Sequence, residues 1–260
     1  MIQIEFARNA GRVLETDDNV IGLAVGGSWL TGQIDEFSDL DLIVVMREKI
    51  SDNKSKMIAY ARRLGYFLTG FTGEHVGEPK VLICLYDKPL LHVDIKFVTL
   101  EEFEHRVESP FILLDKHGQL QSVIDNTPST FPYPDYQWIE DRFWIWVHYA
   151  LLKIGRGELF EALDFFGFLR MVVLGPLLHI KNGNLPRGVR KVETELSESD
   201  FNDLKITIPT YTRKSLLVSL RNSVSLYRKL RKSLFNDDVQ LQIETEESVM
   251  LYFNEIESQN

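Results

Sequence analysis

Asp39-Leu40-Asp41 places two carboxylates one residue apart, immediately ahead of the apolar run Leu42-Ile43-Val44-Val45. Side chains alternate across a strand, so the two acids share a face. Carboxylates held that close repel each other unless a cation lies between them. An all-oxygen set suits a hard divalent ion such as magnesium, which usually brings phosphate oxygens with it. A third acid, Asp94, lies in Leu91-His92-Val93-Asp94-Ile95-Lys96-Phe97. Val93, Ile95 and Phe97 make an apolar face there, and His92, Asp94 and Lys96 share the opposite one. Three carboxylates on neighbouring strands can hold two metal ions about 3.5–4 Å apart, the arrangement that drives in-line phosphoryl or nucleotidyl transfer.

Gly26-Gly27-Ser28 precedes these acids. Glycines let the backbone approach a ligand closely, and N–H groups opening a helix favour phosphate oxygens. Gly27 and Ser28 are therefore candidates for triphosphate binding, the serine adding a hydroxyl donor. Taken singly, a Gly-Gly is usually a turn and an Asp-x-Asp a solvated strand end. The combination of turn, paired acids and a later strand acid is what carries the reading.

The elements that must position these residues alternate in the first half of the chain. Apolar spacing predicts a helix over Ile2–Leu14, a buried strand over Val20–Val25 and a short helix after Gly26-Gly27. A strand over Asp41–Met46 follows, and Ser51 caps a helix through Leu64. Val81–Tyr86 and Leu90–Val98 read as strands joined by the turn Asp87-Lys88-Pro89. Thr99 and Glu102 form a capping box for a helix through about Val107. Pro128, Pro132 and Pro134 mark Asn126–Tyr136 as a linker. Beyond it the sequence predicts helices over Tyr136–Ile154, Glu158–Lys181 with a bend near Gly175-Pro176, Ser197–Lys205, Thr212–Phe235 and Thr245–Glu257. The expected fold is α/β (α+β): a small mixed-sheet domain over 1–127, then an all-helical domain over 128–260.

The set Gly27-Ser28, Gly32, Ser38-Asp39-Leu40-Asp41-Leu42-Ile43-Val44-Val45 and Val93-Asp94-Ile95 resembles the DNA polymerase β-type nucleotidyltransferase superfamily. The helical second half, with Arg156-Gly157-Glu158 ahead of a long helix, is similar to bacterial antibiotic nucleotidyltransferases acting on lincosamides or aminoglycosides. Dehalogenase-type phosphatases and metal-dependent glycosyltransferases place Asp-x-Asp after the apolar strand, whereas here the apolar run follows the acids. The resemblance implies Gly27 and Ser28 for triphosphate binding, Asp39 and Asp41 as metal ligands, and Asp94 as third ligand or base. It implies two magnesium ions, ATP as the nucleoside triphosphate, a small hydroxyl-bearing acceptor and a homodimer. Alternatives are transfer to a protein side chain or an RNA end, or a nucleotide-binding protein without catalysis. Many members carry an arginine soon after the serine, where Trp29, Leu30 and Thr31 stand here.

Other residues carry weaker signals. Lys153, with Arg156 beside it, is a further candidate for the triphosphate, against the ordinary preference of cations for helix C-termini. Glu158, Glu161 and Asp164 recur as an acidic stripe, read first as a solvated face, the alternative being a wall that binds a cationic acceptor or supplies the general base in place of Asp94. Lys214, Arg221, Arg228 and Lys232 read as the exposed face of an amphipathic helix, and Trp138, Phe143, Trp144 and Trp146 as core. The net charge of −9 disfavours nucleic acid as a partner. The lone Cys84 excludes internal disulfides and reads as a buried, inert thiol. The run Phe165–Ile180 is interrupted by Arg170 and by Gly175-Pro176, which argues against a membrane span. The first residues lack the apolar core of a signal peptide, so a cytoplasmic protein is expected.

Overall fold

The structure, a computed structural model, describes residues 1–259. It divides into two compact units, Met1–Phe131 and Pro132–Asn260. In the first, helix α1 (Ile2–Glu15) leads to strands β1 (Val20–Val25) and β2 (Leu40–Met46), then α2 (Lys54–Leu64). Strands β3 (Tyr66–Gly73), β4 (Glu78–Asp87) and β5 (Leu91–Thr99) follow, then α3 (Leu100–Phe103), β6 (Phe111–Asp115) and α4 (Gln119–Asn126). The six strands form one mixed sheet in the order β3-β4-β5-β2-β1-β6. Only the β2–β5 pair is parallel.

The sheet is covered on both faces. Leu40, Leu42, Val44 and Met46 of β2 point into a core with Ala7, Ala10 and Leu14 of α1 and Met57, Ala61 and Leu64 of α2. The alternate residues Ile43 and Val45 meet Phe103 of α3 and Leu120 of α4 on the other face. Asp41 belongs to this second face by alternation, at the start of β2, where it is half-buried. Period-two patterning thus assigns the acids and the main core to opposite sides of the same strand.

Three local expectations need correction. Helix α2 is capped by Asn53, whose side chain accepts from Lys56 N–H at 3.1 Å. Ser51 instead lies buried two residues earlier, because the turn closed by Asn53 N–H on the Ile50 carbonyl delays the helix. The Thr99–Glu102 capping box is present, but its helix ends at Phe103. Arg106 is spent elsewhere: its guanidinium donates to the Ile124 carbonyl and to Thr127, and its own carbonyl accepts from Thr130 N–H. Strands β3 and β6 are not marked by the sequence pattern. The first is an edge strand with exposed Tyr66, Leu68 and Phe71, and the second is only five residues long.

The second unit contains only helices and connections among the described residues: α5 (Tyr136–Arg156), α6 (Leu159–Leu169), α7 (Gly175–Lys181), α8 (Val192–Glu195), α9 (Glu198–Lys205), α10 (Arg213–Leu234) and α11 (Ile243–Ser258). The expected bend is a π-helical turn, Arg170–Leu174, between α6 and α7. Pro176 has no N–H to continue the α-helical ladder, and the chain widens by one residue per turn just before it. The 23-residue run Leu159–Lys181 is long and apolar enough to cross a membrane. Here it is a core helix, with Phe166, Leu169, Val173, Leu174, Leu177 and Leu178 buried.

Phe143 and Trp144 are core as expected, whereas Trp138 is 40% exposed. Arg221 and Arg228 do not form a bare basic face: they pair with Glu257 and Glu246 of α11 at 2.5 and 2.7 Å. At the centre of the unit, fully buried Glu140 accepts hydrogen bonds from Tyr227, from Trp144 Nε1 at 3.3 Å, from Arg231 at 3.1 Å and from the Gln242 N–H at 3.0 Å.

Candidate active site

Strands β2 and β5 run parallel with Asp41 opposite Asp94. Asp39 lies one residue before β2, on the same side as Asp41. Asp39, Asp41 and Asp94, all half-buried, each offer a carboxylate oxygen within 4.8 Å of the others. That convergence is the main property of the site, because carboxylates gather this closely only at an electrostatic cost that a cation removes. The three carboxylates make an all-oxygen donor set, which fits magnesium.

Asp94 has an unequal environment. Burial holds its carboxyl above the ordinary carboxylate range, and the Asp39 charge adds to this. His92, two residues away on the same strand face, works in the opposite direction: its Nε2–H donates to Asp94 Oδ1 at 2.9 Å. The imidazole thus fixes one carboxylate oxygen and supports the ionised form. Lys96, the next residue on this face, is turned to Glu78 at 3.0 Å. Cys84 lies on the adjacent strand, and burial with the Asp94 charge pushes its thiol up to about 12, so it is inert at neutral pH.

The glycine turn packs directly against the acids. Gly26 N–H donates to the Asp41 carbonyl at 3.0 Å, which ties the turn to the start of β2. Gly27 opens a single 3₁₀ turn, Gly27–Trp29, with φ +62°. A Cβ at Gly27 would lie 2.0 Å from Asp41 Oδ2. The position therefore demands glycine twice, for its left-handed backbone and for the space the carboxylate fills. Gly27 N–H donates to Glu108 Oε1 at 2.8 Å. A phosphate oxygen on this donor would take the place of that carboxylate. Ser28 is half-buried in the same turn, and Trp29 packs partly into the main core.

Gly27→Val is accordingly expected to impair two functions. A side chain there displaces the Asp41 carboxylate and adds about 1–2 kcal/mol of left-handed strain. Calorimetric titration with a non-hydrolysable triphosphate and with Mn²⁺ alone should show both affinities falling at least tenfold. Ser28→Ala should weaken only the triphosphate, since about 1.5–3 kcal/mol is at stake in a charge-assisted hydrogen bond. Unchanged triphosphate affinity in both variants would move the phosphate site elsewhere.

Lys153 belongs to the helical unit. Its ammonium lies 2.8 Å from Glu158 and 3.0 Å from Glu161, and the two carboxylates hold its pKa well above that of a free lysine. Tyr149 donates its hydroxyl to the same Glu161. Two members of the acidic stripe thus serve an internal cluster, and a phosphate on Lys153 would have to share the ammonium with them.

Glu108 and Gln3 are contacts the sequence reading did not contain. Glu108 is 81 residues from its partner Gly27, and no local pattern announces it. Gln3 did leave a signal: it is a polar residue in the buried stripe Gln3, Ala7, Ala10, Leu14 of α1.

No protein-family model matches the chain, and no curated protein matches it. Among solved structures, it is similar to an aminoglycoside 6-adenyltransferase from Bacillus subtilis. That match has 16% identity over 97% of this chain and 98% of the other, with a TM-score of 0.41. It is also similar to a nucleotidyltransferase-like protein from Exiguobacterium sibiricum 255-15, at 14% identity over 88% of this chain and 78% of the other, with a TM-score of 0.37. The neighbours are an adenyltransferase and a nucleotidyltransferase-like protein. At such TM-scores the roles of individual residues rest on the chain's own geometry.

Proposed function

We propose that this protein is a magnesium-dependent nucleotidyltransferase. It would transfer a nucleoside monophosphate, AMP from ATP, to a hydroxyl of a small acceptor of the antibiotic class. The observation that carries the reading is the convergence of Asp39, Asp41 and Asp94 beside the Gly27 turn. The nature of the nucleotide and acceptor follows from the motif resemblance.

In this reaction the acceptor oxygen forms a bond to the α-phosphorus while the bond to the bridging oxygen breaks, and pyrophosphate leaves. Bound magnesium ions, held by Asp39, Asp41 and Asp94, would supply charge neutralisation of the triphosphate and a lowered pKa for the acceptor hydroxyl. Asp41, locked across from Asp94 by the β2–β5 ladder, fixes the spacing of the set. The turn at Gly27 and Ser28 orients phosphate oxygens through backbone and hydroxyl donors. Asp94 receives the acceptor's proton, with His92 holding its Oδ1 in place. The test is release of pyrophosphate in the presence of hydroxyl-bearing compounds, read with mass spectrometry for nucleotide-monophosphate adducts. Absence of any adduct across all four nucleoside triphosphates would leave a nucleotide-binding protein.

Asp94→Asn separates ligand from base. It keeps the shape and loses basicity and one negative charge, and general-base loss is worth about 10²–10⁴-fold in rate. Single-turnover kinetics across a metal titration should show that deficit persisting at saturating magnesium. Recovery of near-wild-type rate there would mean that the base lies elsewhere in the chain.

A further inference from the structure

We infer that Gln3 is a positioning residue for the Asp39 carboxylate, an inference that rests on the metal-site reading above. Asp41 and Asp94 are fixed by the strand ladder, but Asp39 lies just outside it, at the end of the Gly32–Ser38 loop. This loop braces itself internally. Ser38 Oγ donates to Asp35 Oδ1 at 2.9 Å and accepts from Asp35 N–H at 3.0 Å, while Phe37 N–H donates to the same Asp35 Oδ1 at 3.0 Å. Internal bonds set the loop's shape and leave its attachment to the body undecided.

Gln3 provides that attachment. From the first turn of α1 its side-chain Nε2 donates to the Asp35 carbonyl at 2.9 Å and to the Ser38 carbonyl at 2.8 Å. The second of these carbonyls belongs to the peptide that leads into Asp39. Both N–H groups of one amide thus clamp the two ends of a four-residue turn. The side chain is 1% exposed, in a helix stripe otherwise made of alanine and leucine. Its Oε1 is buried without a hydrogen-bond partner.

A buried, half-satisfied amide is a costly occupant of a core position, since an orphaned carbonyl loses its water for nothing in return. An apolar side chain of the same length would avoid that cost. Of the two loop carbonyls it would release, that of exposed Asp35 keeps the Ser38 N–H as a donor at 3.3 Å, and the other belongs to half-buried Ser38. A purely structural position would therefore favour the apolar residue. The glutamine makes sense as a device that holds the third metal ligand where the ladder cannot.

The test is Mn²⁺ binding by the full-length chain, measured from the free-ion paramagnetic resonance signal, beside calorimetric melting without metal. Gln3→Met should bind Mn²⁺ about tenfold more weakly, in line with the effect of residues that orient a ligand from behind. Its melting temperature should be equal to wild type or higher. Ser38→Ala, which spares both carbonyls that Gln3 holds, should lose less affinity than Gln3→Met. Asp41→Ala serves as the reference for loss of the site. Wild-type affinity in Gln3→Met, with Asp41→Ala impaired, would overturn the inference and leave the metal site standing. A melting temperature that falls along with the affinity would make Gln3 a fold residue and overturn it equally. If wild type binds Mn²⁺ no better than Asp41→Ala, the metal-site reading fails and this inference with it.

Discussion

Asp41→Ala is expected to lower nucleotidyl transfer by at least about 1,000-fold while leaving the sheet unit folded. The carboxylate is the central member of the cluster, facing Asp94 across the ladder and filling the space beside Gly27. Removing it would delete one of the three proposed metal ligands, and metal stabilisation of a developing charge is worth several kcal/mol, with each 1.36 kcal/mol a factor of ten in rate. Stability should respond in the opposite sense. Without magnesium, three carboxylates converge within 4.8 Å, so deleting one relieves repulsion. The metal-free variant should melt at the wild-type temperature or above it, and magnesium should raise its melting temperature less than it raises that of wild type. Asp39→Ala should show the same pair of effects. Full transfer activity at low magnesium in either variant would remove the metal assignment.

The largest expected effect on stability lies in the other unit. Glu140→Ala should destabilise it by about 3–5 kcal/mol, the usual consequence of removing one member of a buried ion pair. Four donors converge on this carboxylate, from Tyr227, Trp144, Arg231 and the Gln242 backbone. Arg231 would keep Glu246, 2.8 Å away, as a partner, so the guanidinium is not stranded. The phenol of Tyr227 and the Gln242 N–H have no such substitute. Three of the four tryptophans, Trp138, Trp144 and Trp146, belong to this unit, so denaturant unfolding followed by tryptophan fluorescence reads its transition. A loss below about 1 kcal/mol would mean that water replaces Glu140 readily.

Much of the site was legible because it is written in local patterns. Asp39, Asp41 and Asp94 betray themselves by strand alternation, and Gly27 by standing next to a second glycine and a serine. Helix starts followed apolar spacing: the capping box expected at Thr99 is present, and the helices expected to begin at Ser197 and Thr212 start at those residues, whose side chains cap them. The failures have a common cause in tertiary context. Strand β3 carries Gly70 and Gly73 and leaves Tyr66, Leu68 and Phe71 exposed, so it lacks the half-buried alternation that marks a strand. Its place is set by pairing with β4. The helix after Thr99 stops early because Arg106 is drawn to residues 124–130, about twenty positions downstream. Glu108 reaches Gly27 only through the folded sheet. Gln3 was visible as an anomaly, a polar residue on a buried stripe, and its meaning needed the position of the Asp35 and Ser38 carbonyls.

The parallel β2–β5 pairing makes the site intolerant of sliding. Asp94 faces Asp41 only in the observed alignment. If β5 slipped by one residue, Val93 or Ile95 would stand opposite Asp41 and the apolar row would be turned away from the core. A slip of two residues preserves which side faces inward, so the hydrophobic pattern would not object. It would, however, bring His92 or Lys96 opposite Asp41, exchanging an anion for an imidazole or a fixed cation. The near-miss arrangements that packing alone would accept thus take Asp94 away from Asp41. Misaligned copies of the sheet would lack the three-carboxylate cluster that the observed register builds.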